Sequence, residues 1–389
     1  MKSNIDNPAP VEPCTLTPVE PCTLTPVEPC APTPVEPHLI CVSQPEARPW
    51  LSGITHVYTD LDSTMLAPGG KLLTTHNGEP SAALPETLVA LKRAGIEVII
   101  VTGRNGTQGD DFLRLLDLNT YIGEVGCVVQ QSFGIKKQLS YELGDWVGTV
   151  LGSGFALEDG AGDVLGGGFE LGEQVGAVLG GGFELGNRMG TVLGSSLDLG
   201  ALPEGLSPCQ LMQKSGVIDR LTSEFAGKLE LHNPYPSERR VTFAFRGLVD
   251  AEKVARLLAD EPLPLELADN GEIHPLVHTL VDCPEIHIYH LVPRGTSKAL
   301  AVKADIMRRG ISREQTLAIG DSMGDIEMGD YTRSLVVMGN ALHSRTTQEA
   351  LTMRAKRAAR DGRDATTLFT SAFTADGWVE LARALLAAQ

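Results

Sequence analysis

The sequence predicts an α/β protein: a parallel sheet covered by helices, interrupted by a second α+β domain and preceded by a disordered tail. Three observations carry this reading. Short apolar runs alternate with amphipathic helical patterns near both ends of the folded part, as strands buried on both faces and their crossover helices do. A long segment between these stretches has strands and helices of its own. Polar and acidic residues close the apolar runs, where open parallel sheets bind ligands.

At 389 residues, the chain can hold two or three domains. Its formal charge of -17 argues against a nucleic-acid partner, because phosphate backbones attract basic surfaces. A small anionic substrate stays compatible, since the field inside a cleft can oppose the net charge. No stretch has the length and apolarity of a membrane span, and the first residues are polar and proline-rich without the apolar core of a signal peptide, so a cytoplasmic protein is expected. The cysteines are Cys14, Cys22, Cys30, Cys41, Cys127, Cys209 and Cys283. They form no CxxC pair, so they read as reduced thiols rather than a zinc site.

Residues 1–50 read as a disordered tail. The unit PVEPCTLT starts at Pro10, Pro18 and Pro26, and PVEPHLIC follows at Pro34. Proline at this density removes backbone donors and forbids helix. THVYTDL, residues 55–61, is the first buried strand. PETLVALKRAG follows as a helix whose Leu88, Leu91 and Ala94 share a face, with Gly95 at its stop. IEVIIVTGR, residues 96–104, is the second strand.

The inserted domain is expected over 106–291. It contains ERRVTFAFRG and EIHIYHLV as strands, and LMQKSGVIDRLTSEFAG and DAEKVARLLAD as helices. Within it, four glycine-rich repeats of fourteen residues start at Gly148, Gly162, Gly176 and Gly190 and run to 203. Fixed periodicity suits a stacked solenoid, whereas glycine triplets such as Gly166-Gly167-Gly168 oppose order. The first fold resumes at 292–389. TSKALAVKADIMRRG is a helix capped by Thr296 or Ser297 and closed by Gly310, and TLAIGD and SLVVMGN are two further strands.

Four polar groups therefore fall at strand ends or a helix start. They are Asp60-Leu61-Asp62-Ser63-Thr64, Thr102-Gly103-Arg104, Lys298 behind its cap, and Asp321-Ser322-Met323-Gly324-Asp325. Two carboxylates separated by one residue repel and lose hydration when buried, so a cation should lie nearby. In this order the four pieces resemble the motif set of the haloacid dehalogenase superfamily of phosphatases: DxDx[T/V], a strand-terminal Thr or Ser, a Lys, then GDxxxD. The spacing is similar to the Cof-like subclass IIB, whose cap domain enters between the second and third motifs. Sucrose-phosphatases and mannosyl-3-phosphoglycerate phosphatases share that layout. YIGEVGCVV resembles the segment by which the subclass enters its cap, with Val125 where Asn is usual.

The resemblance implies a Rossmann-like core with an inserted cap, and hydrolysis of a small phosphorylated metabolite, a sugar phosphate or glycosyl-phosphoglycerate, through an aspartyl-phosphate. It implies Asp60 as nucleophile and Asp62 as general acid and base. Mg²⁺ would be held by Asp60, the Asp62 carbonyl, Asp321 and Asp325, the last through water or by steadying Lys298. Thr102, Gly103 and Lys298 would hold the phosphoryl oxygens, with Ser322 in support. It also implies a tight helical turn after Asp60, since a plain strand would aim Asp60 and Asp62 to opposite faces.

Ser63 replaces the usual Gly, and Gly324 a common Asn. Candidate substrate contacts are Arg104, Glu124, Arg239 and Arg240, with Asn233. The pairs His274/His278 and His287/His290 carry metal-ligand side chains, although Pro275 opposes a helix joining the first pair. Two other readings stay open: a phosphosugar mutase of the phosphomannomutase type, and a scaffold binding partners through the repeat tracts.

Overall fold

The computed structural model describes residues 37–132, 138–142, 207–232, 239–261, 263–273, 275 and 277–389. The glycine-rich repeats and the proline-rich repeats up to residue 36 lie outside these residues, as does Asn233.

The core strands are β1 (Leu39–Cys41), β2 (His56–Thr59), β3 (Glu97–Val101), β4 (Thr120–Gly123), β5 (Val128–Ser132) and β6 (Gln138–Glu142). The cap strands are β7 (Leu229–Leu231), β8 (Phe243–Gly247), β9 (Leu265–Glu272) and β10 (His287–Pro293). The core then resumes with β11 (Thr316–Gly320), β12 (Ser334–Val337) and β13 (Thr367–Phe369). Nine strands form one sheet in the order β1-β13-β12-β11-β2-β3-β4-β5-β6. Its pairings are parallel from β1 through β4, and β5 and β6 add on antiparallel.

Side chains alternate between the two faces, and both faces are covered. Val57, Val98, Ile100 and Ile319 pack with Leu84 and Leu91 of the helix Ala83–Arg93 and with Trp378 and Leu385 of the helix Thr374–Ala388. On the other face, Tyr58, Ile99, Val101 and Ala318 pack with Val302 and Ile306 of the helix Lys298–Arg309 and with Leu351 of the helix Arg345–Arg360.

Two boundaries differ from the sequence expectation. The segment expected to be tail as far as 50 is structured from Leu39: β1 pairs in parallel with β13, and the helix Arg48–Leu51 buries Leu51. The local run LICV is apolar enough to join a sheet edge once β13 offers unpaired backbone groups. The core also extends past 105. The helix Gly106–Leu115 packs beside β4, and β4 to β6 continue the core sheet through Glu142. Isolated strands carry no mark of which sheet they join.

The cap is a four-stranded antiparallel sheet, β7-β8-β10-β9. Helices Pro208–Ser215, Val217–Glu224 and Ala251–Ala259 cover one face, burying Met212, Leu221, Val254 and Leu258 against Phe243, Phe245 and Leu291. The single helix expected over 211–227 is two, because Gly216 turns left-handed at φ 76° and ends the first. Among the described residues no helix is long and apolar enough to cross a membrane.

His287 on β10 pairs with Asp269 on β9 at 2.8 Å, and this bond raises its pKa above the usual histidine value. A raised folded-state pKa gives stability that is complete below the unfolded value, about 6.5, and is lost as pH rises through the folded one. The thermal midpoint should therefore fall between about pH 6 and 8, and Asp269→Asn should flatten that fall. An identical profile in the variant would remove the pair from the account.

Candidate active site

The carboxyl ends of β2 and β11 adjoin, because the ladder between them continues one residue further: Asp60 N–H donates to Ile319 O at 3.0 Å. The Asp60 carbonyl is fixed from behind. Trp378 Nε1 donates to Thr59 Oγ1 at 3.1 Å, and that hydroxyl donates to Asp60 O at 2.7 Å. After Asp60 the chain makes a tight turn over Leu61–Met65, closed by Leu66 N–H donating to Leu61 O at 2.9 Å. It is not the regular helical turn expected: Asp62 is extended and Ser63 left-handed at φ 62°. This conformation explains why Gly is usual there: a Cβ in the left-handed region costs about 1–2 kcal/mol.

Lys298 opens its helix directly after the N-cap Ser297, whose hydroxyl accepts from Leu300 N at 3.2 Å. Its buried ammonium donates to Asp60 Oδ1 and to Asp325 Oδ1, each at 2.8 Å. The other oxygen of Asp325 accepts from Ser322 Oγ at 2.6 Å and Ser322 N at 3.0 Å, which caps the helix Met323–Met328. Gly320 is required for this arrangement, since a Cβ there would sit 2.1 Å from Asp325 Cβ. Asp321 completes the group and accepts from Thr64 Oγ1 at 2.9 Å. Gly324 has open space, a Cβ meeting only Ser322 Oγ at 3.9 Å, so packing does not forbid the usual Asn.

Asp60, Asp321 and Asp325 each present a carboxylate oxygen within 4.8 Å of the others. Three carboxylates face one ammonium. Burial, then repulsion from Asp325 and Asp321, raises the Asp60 carboxyl well above the carboxylate range despite Lys298. Burial and the Asp325 charge push Asp321 up to about 7. Burial works against the Lys298 ammonium, but Asp325 and Asp60 overcome it and hold its pKa above the usual lysine value. The uncompensated negative charge and the hard oxygen donors fit a divalent cation such as Mg²⁺.

Thr102, Gly103 and Arg104 follow β3, the neighbour of β2, at the same sheet edge. Arg104 takes Asp62 in a two-pronged bond, Nε to Oδ2 at 2.9 Å and Nη2 to Oδ1 at 2.6 Å. In this arrangement Arg104 contacts the Asp60 loop. The Asp62 carboxylate stands apart from the three-acid cluster and is 53% exposed.

The structure corrects the reading of Glu124 as a substrate contact. It is fully buried, and its carboxylate accepts from the N–H groups of Arg240, Val241 and Thr242 at 2.8, 3.0 and 2.9 Å and from Thr242 Oγ1 at 3.0 Å. Glu124 thus ties the core to the start of β8. Glu124 and Val125 are both left-handed, at φ 49° and 53°, a conformation that Asn, the usual residue at Val125, tolerates better.

Arg240 contributes its backbone to Glu124, while Arg239 Nη2 donates to Gly103 O at 3.1 Å. The pair His287/His290 shares no ligand position: His287 holds Asp269, and His290 faces Arg239. Thr64 sits inside the DxDx[T/V] motif and was legible by it. Thr59, Trp378 and Asn340, whose Nδ2 donates to Ser63 O at 3.1 Å, had no sequence signal.

The sequence model of the haloacid dehalogenase-like hydrolase family matches residues 57–142 and 270–362. Those two segments carry all four motifs. Over those two segments the chain is similar to the haloacid dehalogenase-like hydrolases. The four-stranded cap lies between the second and third of these motifs.

The chain is 34% identical over 83 residues to a phosphoglycolate phosphatase of Staphylothermus marinus, matching 19% of this chain and 35% of that protein, so it spans about a third of the relative's length. A solved Thermoplasma acidophilum protein aligns with a TM-score of 0.47 at 12% identity, over 85% of this chain and 98% of that one. The sucrose-phosphatase of Synechocystis, solved with sucrose and phosphate, aligns with a TM-score of 0.44 at 13% identity, over 86% and 98%.

Two outcomes are expected for this haloacid dehalogenase-like site. Ser63→Gly should raise stability by up to about 1 kcal/mol, by relief of the left-handed strain; a lower urea midpoint would contradict the strain. Glu124→Gln turns an amide NH₂ toward N–H donors and should cost about 2–3 kcal/mol. A urea midpoint equal to wild type would show that those bonds do not hold the cap strand.

Proposed function

We propose that this chain is a Mg²⁺-dependent phosphomonoesterase acting on a small phosphorylated metabolite through an aspartyl-phosphate at Asp60. The observation that supports it most is the single buried ammonium of Lys298 shared by Asp60 and Asp325, with Asp321 beside them at the sheet edge.

An Asp60 carboxylate oxygen attacks phosphorus as the ester P–O bond breaks. The leaving oxygen takes a proton from Asp62, which reaches it by rotating out of its fork with Arg104. Water then attacks the phosphorus of the aspartyl-phosphate and gives its proton to Asp62. Orthophosphate leaves, and the Asp60 carboxylate is restored. Lys298 and the Thr102 hydroxyl hold phosphoryl oxygens, since phosphoryl transfer depends mainly on positioning and charge stabilisation. Asp60, the Asp62 carbonyl, Asp321 and Asp325 would hold Mg²⁺, which when bound neutralises charge on the transferring group. The substrate class is a sugar phosphate or glycosyl-phosphoglycerate, and the local likeness to a phosphoglycolate phosphatase adds small phosphorylated acids.

Turnover of p-nitrophenyl phosphate with Mg²⁺ should release orthophosphate and fall at least about 10³-fold in Asp60→Asn. Mg²⁺ should also raise the thermal midpoint of the wild type more than that of Asp321→Asn. Undiminished turnover in Asp60→Asn, or release of an isomerised sugar phosphate in place of orthophosphate, would overturn the proposal.

A further inference from the structure

Three polar side chains of the cap converge on Gly103, the residue after the phosphate-holding Thr102. Arg239 bonds the Gly103 carbonyl. His290 Nε2 lies 2.8 Å, and Asn270 Nδ2 3.0 Å, from the point a Gly103 Cβ would occupy. Any larger residue at 103 would push both away. Asn270 stands on β9 and His290 on β10, in neighbouring antiparallel strands. Gly271, next to Asn270, reaches toward Ser322 of the fourth motif, a Cβ on it falling 3.8 Å from Ser322 Cβ. This end of the cap sheet therefore overhangs both the Thr102 loop and the Asp321 loop.

His290 is 1% exposed, and among the described residues its Nε2 has no hydrogen-bond partner. Its other nitrogen, Nδ1, lies 3.4 Å from Arg239 Nη1. A guanidinium donates and never accepts, so Nδ1 accepts and the proton resides on Nε2. Burial, with the charges of Arg239 and Lys298, keeps this ring neutral. Nε2–H is thus a buried donor without an acceptor, a state that costs about 1–3 kcal/mol and that native structures rarely retain without a use.

We infer that His290 Nε2–H, with the Asn270 side-chain amide, is a recognition point in the cap for an acceptor oxygen carried by the leaving group of the phosphomonoester. That oxygen is a hydroxyl or a carboxylate near the ester carbon. The inference rests on the phosphatase reading and narrows it to compact, oxygen-bearing leaving groups. An alkyl leaving group leaves the donor unpaired. His290 acts on binding and takes no part in the proton transfers assigned to Asp62.

The test uses the full-length Asp60→Asn protein with Mg²⁺, so that ligands bind without turnover. Titration calorimetry compares ethyl phosphate, which has no acceptor on its leaving group, with glycerol 3-phosphate for the hydroxyl and 2-phosphoglycolate for the carboxylate. At least one oxygen-bearing ester should bind more tightly than ethyl phosphate. His290→Phe, which keeps a ring but removes the donor, should reduce that preference about tenfold, one hydrogen bond's worth. His290→Gln restores an N–H at the same reach and should recover most of it, and Asn270→Ala should reduce the same ratio.

Equal binding of all three esters by the parent protein would overturn the inference, and so would a uniform loss across them in His290→Phe. Failure of the phosphatase reading shows separately, as absent p-nitrophenyl phosphate turnover by the wild type.

Discussion

The site depends on one buried cation. Lys298 holds Asp60 and Asp325 at equal distance, and without its ammonium three clustered carboxylates would have no positive partner among the described residues. Removing a buried charge's partner is far more costly than removing an exposed one. The surrounding backbone is organised to keep the ammonium in place: Ser297 caps its helix, and Asp325 caps the next helix while accepting from it. The arrangement remains short of positive charge, and this deficit is what suits it to a divalent cation.

A second buried charge sets where the cap sits. Glu124 leaves water entirely, yet its carboxylate meets three backbone amides and a hydroxyl, all from residues 240–242. Bonds of this kind to an ionised acceptor are stronger than neutral ones. They join the loop after β4 to the start of β8, and Arg239, the residue before that stretch, reaches back to Gly103. Core and cap are therefore linked beside the Thr102–Gly103 loop, so Asn270 of β9 and His290 of β10 come to lie against it.

Much of the core was legible because its signals are local. The strand ends at Asp60, Thr102 and Asp321, the cap of the Lys298 helix and its stop at Gly310 each depend on a few neighbouring residues. Glu124 was misread because an acid at a domain entry looks the same whether it faces a substrate or a backbone amide. The Asp62–Arg104 fork spans 42 positions and the Thr59–Trp378 bond 319. No short pattern encodes contacts of that range.

The sequence alone determined the fold class, the order of the four motifs and the identity of the acids and the lysine, since these follow from periodicity and from motifs whose chemistry is carried by residue type. The tertiary structure decided the partners: which carboxylates share Lys298, that Asp62 lies with Arg104, that Glu124 serves the cap backbone, and that β1 and β4 to β6 join the core sheet. Such choices arise from side chains distant in the chain competing for the same buried donors, and that competition exists only once the sheets have closed.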